Sequence, residues 1–183
     1  KMDKPLKGVL VIDCSSMAAA PLCARCLADW GAEVIKIEPP KGDPTRVDNP
    51  MHDTRFAYYN SGKKGIVINQ KTEKGAEITD KLLSKADVFL TNYRMPALKK
   101  LGLDYETLSA KFPGLIWAHL SGYGEFGPDK DAPGYDTASF WARSGLMNGI
   151  VEKGESIILP PPAFGDTMSS SALAGGIAAA LYQ

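Results

Sequence analysis

The sequence contains few of the residues that most often bind metals or form covalent cross-links. Its 183 residues include 3 cysteines and 2 histidines. An odd number of cysteines argues against a disulfide framework and favours a reducing compartment, so we expect a cytoplasmic protein. His119 lies in a strand-like run, where we expect it to be packed, and His52 lies far away in a loop. Two scattered histidines give neither metal-ligand spacing nor a catalytic triad, and no metal is predicted.

An excess of one charge and a long hydrophobic run are also missing. Lys and Arg together number 21, as do Asp and Glu, so the formal net charge is +0. Nucleic acids and acidic membrane surfaces attract proteins with a basic excess, and neither is therefore an expected partner. No apolar segment approaches the ~20 residues that a membrane-spanning helix needs. The hydrophobic fraction of 44% is typical of a folded globular domain.

What the sequence does contain is a regular alternation of strand and helix patterns. Short apolar runs predict strands at residues 9–12, 34–38, 65–69, 87–92 and 115–120. Helices are predicted at residues 21–30, 72–84, 96–101, 104–111 and 135–147, with Asp104 as an N-cap. The proline-rich segment 39–55 is predicted to be a loop. Because the strands are apolar and the connections short, we expect an α/β fold with a Rossmann-like, mainly parallel open sheet flanked by helices.

Several segments follow the carboxyl ends of predicted strands, where ligands bind in sheets of this type. They are residues 14–20, 69–71, 92–94 and 121–135. Basic side chains lie in or near these segments, and Tyr93 stands next to Arg94. Cations and a flat ring would suit the phosphates and the base of a nucleotide, whereas a solvated charged surface is the common alternative.

Two motifs have a functional interpretation that their context does not support. Residues 122–127 match G-x-G-x-x-G, but Pro128 and two carboxylates follow where a dinucleotide-binding motif would open a helix. Cys23 and Cys26 form a C-x-x-C motif on a predicted helix. No second pair is present for zinc, so we interpret these cysteines as small residues that pack the helix on the sheet, with a redox role as the alternative.

Asp166 is the candidate catalytic residue. It follows Gly165 and precedes a helical run that is predicted to start near Thr167. An aspartate in that position is commonly a helix N-cap, where the helix dipole favours its charge. The alternative is a nucleophile, because a carboxylate can attack an activated carbonyl when the product must stay activated. The residues alone leave both interpretations open.

Several stretches, in the same order, resemble the class III CoA-transferase family, which includes formyl-CoA and carnitine CoA-transferases. They are residues 6–13, 28–46, 60–64, 86–88, 92–93, 122–124 and 165–166. The resemblance implies an enzyme that transfers coenzyme A from an acyl-CoA donor to a free carboxylic acid, with acyl-CoA as a substrate and no tightly bound cofactor. The run 135–145 resembles the branch that acts on 2-hydroxy acids in amino-acid fermentation, the 2-hydroxyisocaproate and phenyllactate CoA-transferases.

The resemblance also implies roles for individual positions. It implies that Asp166 attacks the thioester to form a mixed anhydride and then becomes an aspartyl-CoA thioester. It implies CoA contacts at Met17, Ala18, Ile68, Asn69, Lys71, Asn92, Tyr93, Arg94, Lys100, Ala132, Pro133 and Tyr135. Two departures affect CoA binding: Lys100 stands where the family has a phosphate-binding arginine, and Pro39 stands where formyl-CoA transferases have a CoA-binding arginine.

The resemblance further implies how the whole protein is organised. Residues 1–183 correspond to the CoA-binding N-terminal part of the large domain, with the small domain and the remaining chain absent, and the complete enzyme is expected to be an interlocked homodimer. Related α-methylacyl-CoA racemases use a histidine where Tyr135 stands. A tyrosine, with an ordinary pKa of ~10, is a poor base near neutrality, which favours a transferase. A racemase-like enzyme and an inactive CoA-binding fragment are the alternatives.

Overall fold

Five parallel strands form one sheet. They are β1 (Leu10–Cys14), β2 (Glu33–Glu38), β3 (Lys64–Val67), β4 (Val88–Thr91) and β5 (Ile116–His119). Their order is β3-β2-β1-β4-β5, and every pairing is parallel, which confirms the predicted α/β fold with a Rossmann-like sheet. The computed structural model describes residues 3–46 and 54–183, so His52 lies outside the described residues.

Helices connect the strands and follow the last of them. They are α1 (Ala19–Asp29), α2 (Thr54–Asn60), α3 (Glu73–Leu83), α4 (Met95–Leu101), α5 (Tyr105–Lys111), α6 (Leu146–Gly149) and α7 (Phe164–Tyr182), with a π-helical segment at Thr137–Arg143. Asp104 accepts a hydrogen bond from the Thr107 amide at 3.1 Å, which confirms the predicted N-cap of α5. In residues 3–46 and 54–183, none of the helices combines the length and the hydropathy that a membrane span requires.

The structure differs from the prediction in two segments. The predicted loop 39–55 ends early, because α2 begins at Thr54. Only Asn60 of this helix is buried, so no apolar pattern marks it; Arg25 of α1 holds it by donating to the Tyr58 carbonyl at 2.7 Å. Residues 135–147, predicted as one helix, contain the π-helical segment and the start of α6, which Gly145 separates with a φ of 87°.

The two faces of the sheet bury separate hydrophobic clusters. On one face, α1 and α7 pack against β1 and β4, with Leu27, Val88 and Ala174 fully buried. On the other face, α3, α4 and α5 cover the sheet, with Phe89, Leu98 and Leu108 fully buried. The helices that follow β1 and β4 therefore lie on opposite faces.

Buried charges connect the carboxyl ends of β1 and β2 to the segments around them. The Lys63 Nζ atom, just before β3, lies 2.8 Å from Asp13 Oδ2 of β1. The Lys36 Nζ atom of β2 donates to the Ser15 carbonyl at 2.8 Å and pairs with Asp43 at 3.0 Å. These four charged side chains are at most 2% exposed, and their two positive and two negative charges balance. Burial lowers the pKa of Lys63, and the Asp13 charge opposes this shift.

Lys63→Met should lower the free energy of unfolding by about 3–5 kcal/mol, because Asp13 would keep a buried charge without its partner. Urea unfolding measures the change. Lys64→Met is the matched control, since this neighbouring lysine pairs with Glu33 through side chains that are 71% and 53% exposed. Its removal should change stability by about 0.5 kcal/mol or less. Equal losses in the two variants would contradict the assignment.

Candidate active site

A cleft opens at the carboxyl end of the sheet, where β1 and β4 lie side by side. The chain leaves β1 toward α1 on one face and β4 toward α4 on the other, and ligands bind at this position in sheets of this topology. Asn92, in the segment after β4, is hydrogen-bonded to the segment after β1. Its Oδ1 atom accepts from the Ser16 amide at 3.0 Å, and its Nδ2 atom donates to the Ser16 carbonyl at 2.8 Å. The cleft has a volume of about 1010 Å³.

Most of the predicted CoA contacts line this cleft together with Asp166. They are Met17, Ala18, Asn92, Tyr93, Arg94, Ala132, Pro133 and Tyr135. A second cleft of about 830 Å³ is lined by Lys71, Arg94 and Lys100, among others. Because Arg94 lines both clefts, the two are adjacent. The structure thus brings these residues together, and their roles as CoA contacts stay a prediction.

Two predicted contacts lie outside both linings. Ile68 is buried in the hydrophobic cluster on the α3 face of the sheet. The side-chain oxygen of Asn69 accepts a hydrogen bond from the Lys71 amide at 3.3 Å. The backbone carbonyl of Asn69 accepts one from the Thr72 hydroxyl at 2.8 Å. These two residues therefore shape the turn that carries Lys71 to the second cleft.

Asp166 lies in the first turn of α7 and forms part of the cleft wall. The helix begins at Phe164 rather than near Thr167, and Ala163 is its N-cap, so the interpretation of Asp166 as an N-cap is wrong. The helix dipole favours a carboxylate in the first turn. Burial, and to a lesser degree the charge of Asp136, nevertheless raise the pKa of Asp166 to about 6. The carboxyl group is therefore mostly ionised at neutral pH but far more basic than an ordinary aspartate.

Gly165 allows the π-helical segment to approach α7 closely. Its amide donates a hydrogen bond to Asp136 Oδ1 at 2.8 Å. A Cβ atom at this position would lie 2.3 Å from Phe140 Cγ and 2.4 Å from Asp136 Oδ1, which is closer than packed atoms approach. The packing beside Asp166 therefore requires glycine.

His119 and Glu125 make a contact in the cleft that the sequence analysis did not identify. The His119 side chain is only 5% exposed, as expected of a packed residue, yet it lines the cleft. Its Nε2 atom lies 2.9 Å from the Tyr93 carbonyl and its Nδ1 atom 3.2 Å from Glu125 Oε1. Since a carbonyl can only accept, Nε2 is assigned as the donor. The sequence feature that could have indicated this contact is a histidine near the end of a predicted strand, just before the glycine-rich loop that carries Glu125.

The surroundings of the two cysteines of the C-x-x-C motif are those of packed residues rather than reactive ones. Burial raises the pKa of Cys23 to about 12 and also raises the pKa of Cys26. A reactive thiol needs a lowered pKa, so these surroundings support the packing interpretation over a redox role. Within residues 3–46 and 54–183, no group of three or more His, Cys, Asp or Glu side chains is placed to hold a metal ion.

The fold and the cleft define a Rossmann-like domain in which a carboxylate with a raised pKa, Asp166, lies in a cleft at the carboxyl end of the sheet. Comparison with known proteins identifies the family. Residues 6–183 match the family described as CoA-transferase family III. The chain belongs to this family, which confirms the resemblance seen in the sequence. In structure the chain is similar to a hypothetical protein from Mycobacterium tuberculosis, with a TM-score of 0.90 and 36% identity over 98% of this chain and 51% of that chain.

Two curated relatives share 47% identity with the chain. One is (R)-2-hydroxy-4-methylpentanoate CoA-transferase from Clostridioides difficile, matched over 97% of this chain and 47% of the relative. The other is cinnamoyl-CoA:phenyllactate CoA-transferase from Clostridium sporogenes, matched over 96% of this chain and 45% of the relative. The chain thus spans about half the length of the curated relatives that it matches.

Gly165→Ala should lower the free energy of unfolding by about 1–3 kcal/mol, because the added methyl group collides with Phe140 and Asp136. Gly175→Ala in the same helix is the matched control, since a Cβ there meets nothing within 4 Å. Alanine favours helix over glycine by ~1 kcal/mol, so the control should gain stability. Chemical unfolding of both variants checks the opposite signs, and a neutral Gly165→Ala change would contradict the packing described.

Proposed function

We propose that the protein is a CoA-transferase that moves coenzyme A from an acyl-CoA donor to a free carboxylic acid, with Asp166 as the covalent nucleophile. The observation that carries this proposal is the position of Asp166, a half-buried carboxylate in the wall of a cleft that adjoins a cation-lined cleft. Membership of CoA-transferase family III supports the reaction class. Because the chain spans about half the length of its relatives, the proposal concerns the full-length protein.

Coenzyme A has a negatively charged nucleotide at one end and a thiol at the other, and the adjacent clefts offer matching surfaces. Lys71, Arg94 and Lys100 supply positive charge to the smaller cleft and outnumber the carboxylates of Glu73 and Asp131 in the same lining, which suits phosphate groups. Arginine can bind phosphate through two hydrogen bonds, whereas Lys100 acts as a point charge. The larger cleft contains both Met17 and Asp166, so the pantetheine arm can bring a thioester to the carboxylate.

The proposed reaction conserves the free energy of the thioester. An oxygen of Asp166 attacks the thioester carbonyl, the carbon–sulfur bond breaks, and the CoA thiolate leaves behind a mixed anhydride. The thiolate then attacks the aspartyl carbonyl, which releases the donor acid and gives an aspartyl-CoA thioester. The acceptor carboxylate carries out the same two steps in reverse. Both intermediates react with water, so the site must exclude it.

The protonation state of Asp166 suits this chemistry. A pKa of about 6 leaves the carboxyl group mostly ionised at neutral pH, and only the ionised form attacks a carbonyl. The raised pKa also makes the carboxylate a stronger base, and so a better nucleophile, than an ordinary aspartate. Burial, which is the larger cause of the shift, also limits the access of water to the intermediates.

We further propose that a 2-hydroxy acid is one of the acids that exchange CoA. The names of both curated relatives at 47% identity contain such an acid. By the same family relationship we propose a cytoplasmic enzyme of amino-acid fermentation that is an interlocked homodimer when complete.

A racemase-like activity would require a base at the α-carbon of the acyl group. Tyr135 stands where the racemases have histidine, and the residue is 68% exposed. An exposed phenol is a poor base near neutral pH, which supports the transferase. Deuterium exchange at the α-carbon of an acyl-CoA, in the absence of an acceptor acid, would instead favour the racemase.

Incubating the full-length protein with acyl-CoA and hydroxylamine should leave a hydroxamate on Asp166, because hydroxylamine attacks both the anhydride and the aspartyl thioester. Mass spectrometry of peptides locates the modification. Asp166→Asn should prevent it, whereas Asp131→Asn, which removes another carboxylate of the same cleft, should not. Transfer at full rate by Asp166→Ala would overturn the proposal.

Lys100→Ala should raise KM for acyl-CoA about tenfold or more, because a charge-assisted hydrogen bond to phosphate is lost. Steady-state kinetics at saturating acceptor acid measures the change, and Lys100→Arg should restore binding. Lys74→Ala is the control, since this lysine pairs with Glu77 on the exposed face of α3 and lines neither cleft. An unchanged KM in Lys100→Ala would remove Lys100 from the binding site.

A further inference from the structure

Asp136 lines the cleft, and the proposed mechanism gives it no part. It stands at the start of the π-helical segment, but its side chain does not cap that segment. Its Oδ1 atom instead accepts the hydrogen bond from the Gly165 amide of α7 at 2.8 Å. Its Oδ2 atom is buried and has no hydrogen-bond partner among the described residues. A buried carboxylate oxygen without a donor is costly, which points to a role beyond packing.

The hydrogen bond holds the first turn of α7. The first amides of a helix have no partner within the helix, and Gly165 carries one of them. The N-cap residue, Ala163, has no side chain that could accept it. Asp136 supplies the acceptor from another segment of the chain. Because Asp166 is the next residue after Gly165, the same contact fixes the backbone of Asp166.

The same carboxylate places a second negative charge near Asp166. After burial, this charge is the second cause that raises the pKa of Asp166. Among residues 3–46 and 54–183, Tyr59 of α2 also interacts with Asp166, and the pKa of Tyr59 is raised by burial and by the Asp166 charge, while Arg55 lowers it. The Tyr59 phenol is therefore neutral in the range where Asp166 titrates, so of these two described side chains it is Asp136 that adds charge.

We propose that Asp136 is a positioning residue with two separable effects: its hydrogen bond to Gly165 holds the first turn of α7, and its negative charge acts on the Asp166 carboxylate. The consequence for catalysis rests on the proposed function of Asp166. A carboxylate beside a second negative charge gives up its electron pair more readily, so the charge of Asp136 should increase the reactivity of Asp166 once it is ionised.

Three variants separate the two effects. Asp136→Asn removes the charge but keeps an oxygen that can accept from the Gly165 amide. Asp136→Ala removes both the charge and the acceptor. Asp131→Asn is the matched control, because it removes a different carboxylate of the same cleft.

Titration of the Asp166 carboxyl carbon by NMR in the full-length protein tests the charge effect. The signal is assigned by its absence in Asp166→Asn. We expect the pH midpoint of the Asp166 titration to fall by roughly half a pH unit or more in Asp136→Asn and in Asp136→Ala. In Asp131→Asn the midpoint should not change. An unchanged midpoint in Asp136→Asn would overturn the charge effect.

Hydrogen exchange at the Gly165 amide tests the positioning effect. The protection of this amide against exchange should persist in Asp136→Asn. In Asp136→Ala it should fall about tenfold, in line with the loss of one hydrogen bond. Equal protection in Asp136→Ala and the wild type would overturn this effect.

The pH dependence of covalent CoA loading connects both effects to the reaction. The mass of the intact protein after a single turnover measures the adduct. The acid limb should lie near pH 6 in the wild type and at lower pH in Asp136→Asn, because a carboxyl group with a lower pKa stays ionised in more acidic solution. The plateau rate should fall in Asp136→Asn. An acid limb that stays in place would overturn the proposal, whereas a wild type that forms no adduct would overturn only the proposed function.

Discussion

The buried pair of Asp13 and Lys63 is the contact on which the ligand-binding edge of the sheet depends. β1 is the central strand, and its last residues carry a charge that would cost several kcal/mol without a partner. The Ser15 hydroxyl donates to Asp13, and the Ser15 carbonyl accepts from Lys36. Side chains thus hold the turn after β1, although Met17 takes a left-handed φ of 66° in it. This explains how the turn keeps its shape without the glycines of a dinucleotide-binding motif.

Opposing influences meet at Asp166. The first turn of a helix favours a negative charge, whereas burial and the neighbouring charge of Asp136 disfavour it. Burial and the charge of Asp136 outweigh the helix dipole, so the pKa of Asp166 is raised to about 6. The carboxyl group nevertheless stays mostly ionised at neutral pH. The arrangement depends on the close approach of the π-helical segment, which only a glycine at position 165 permits.

Local chemistry accounts for the elements that the sequence predicted. Short apolar runs marked all five strands, and the side chain of Asp104 marked the start of α5. The elements that were missed or misplaced lack such marks. The helix α2 is held by Arg25 from another helix, and α7 starts after Ala163, which takes a left-handed φ of 60° that alanine rarely adopts.

The order of residues by itself determined the class of fold and the family, because apolar periodicity and motif order are properties of the chain, and the family resemblance in turn implied Asp166 as the candidate nucleophile. Only the tertiary structure decided how Asp166 behaves. The pKa of a carboxyl group depends on burial and on charges nearby in space, and Asp136 reaches α7 through a hydrogen bond between segments that are distant in the chain. Likewise, the sequence showed a histidine in a strand and a glycine-rich loop, but only folding brought His119 and Glu125 together in the wall of the cleft.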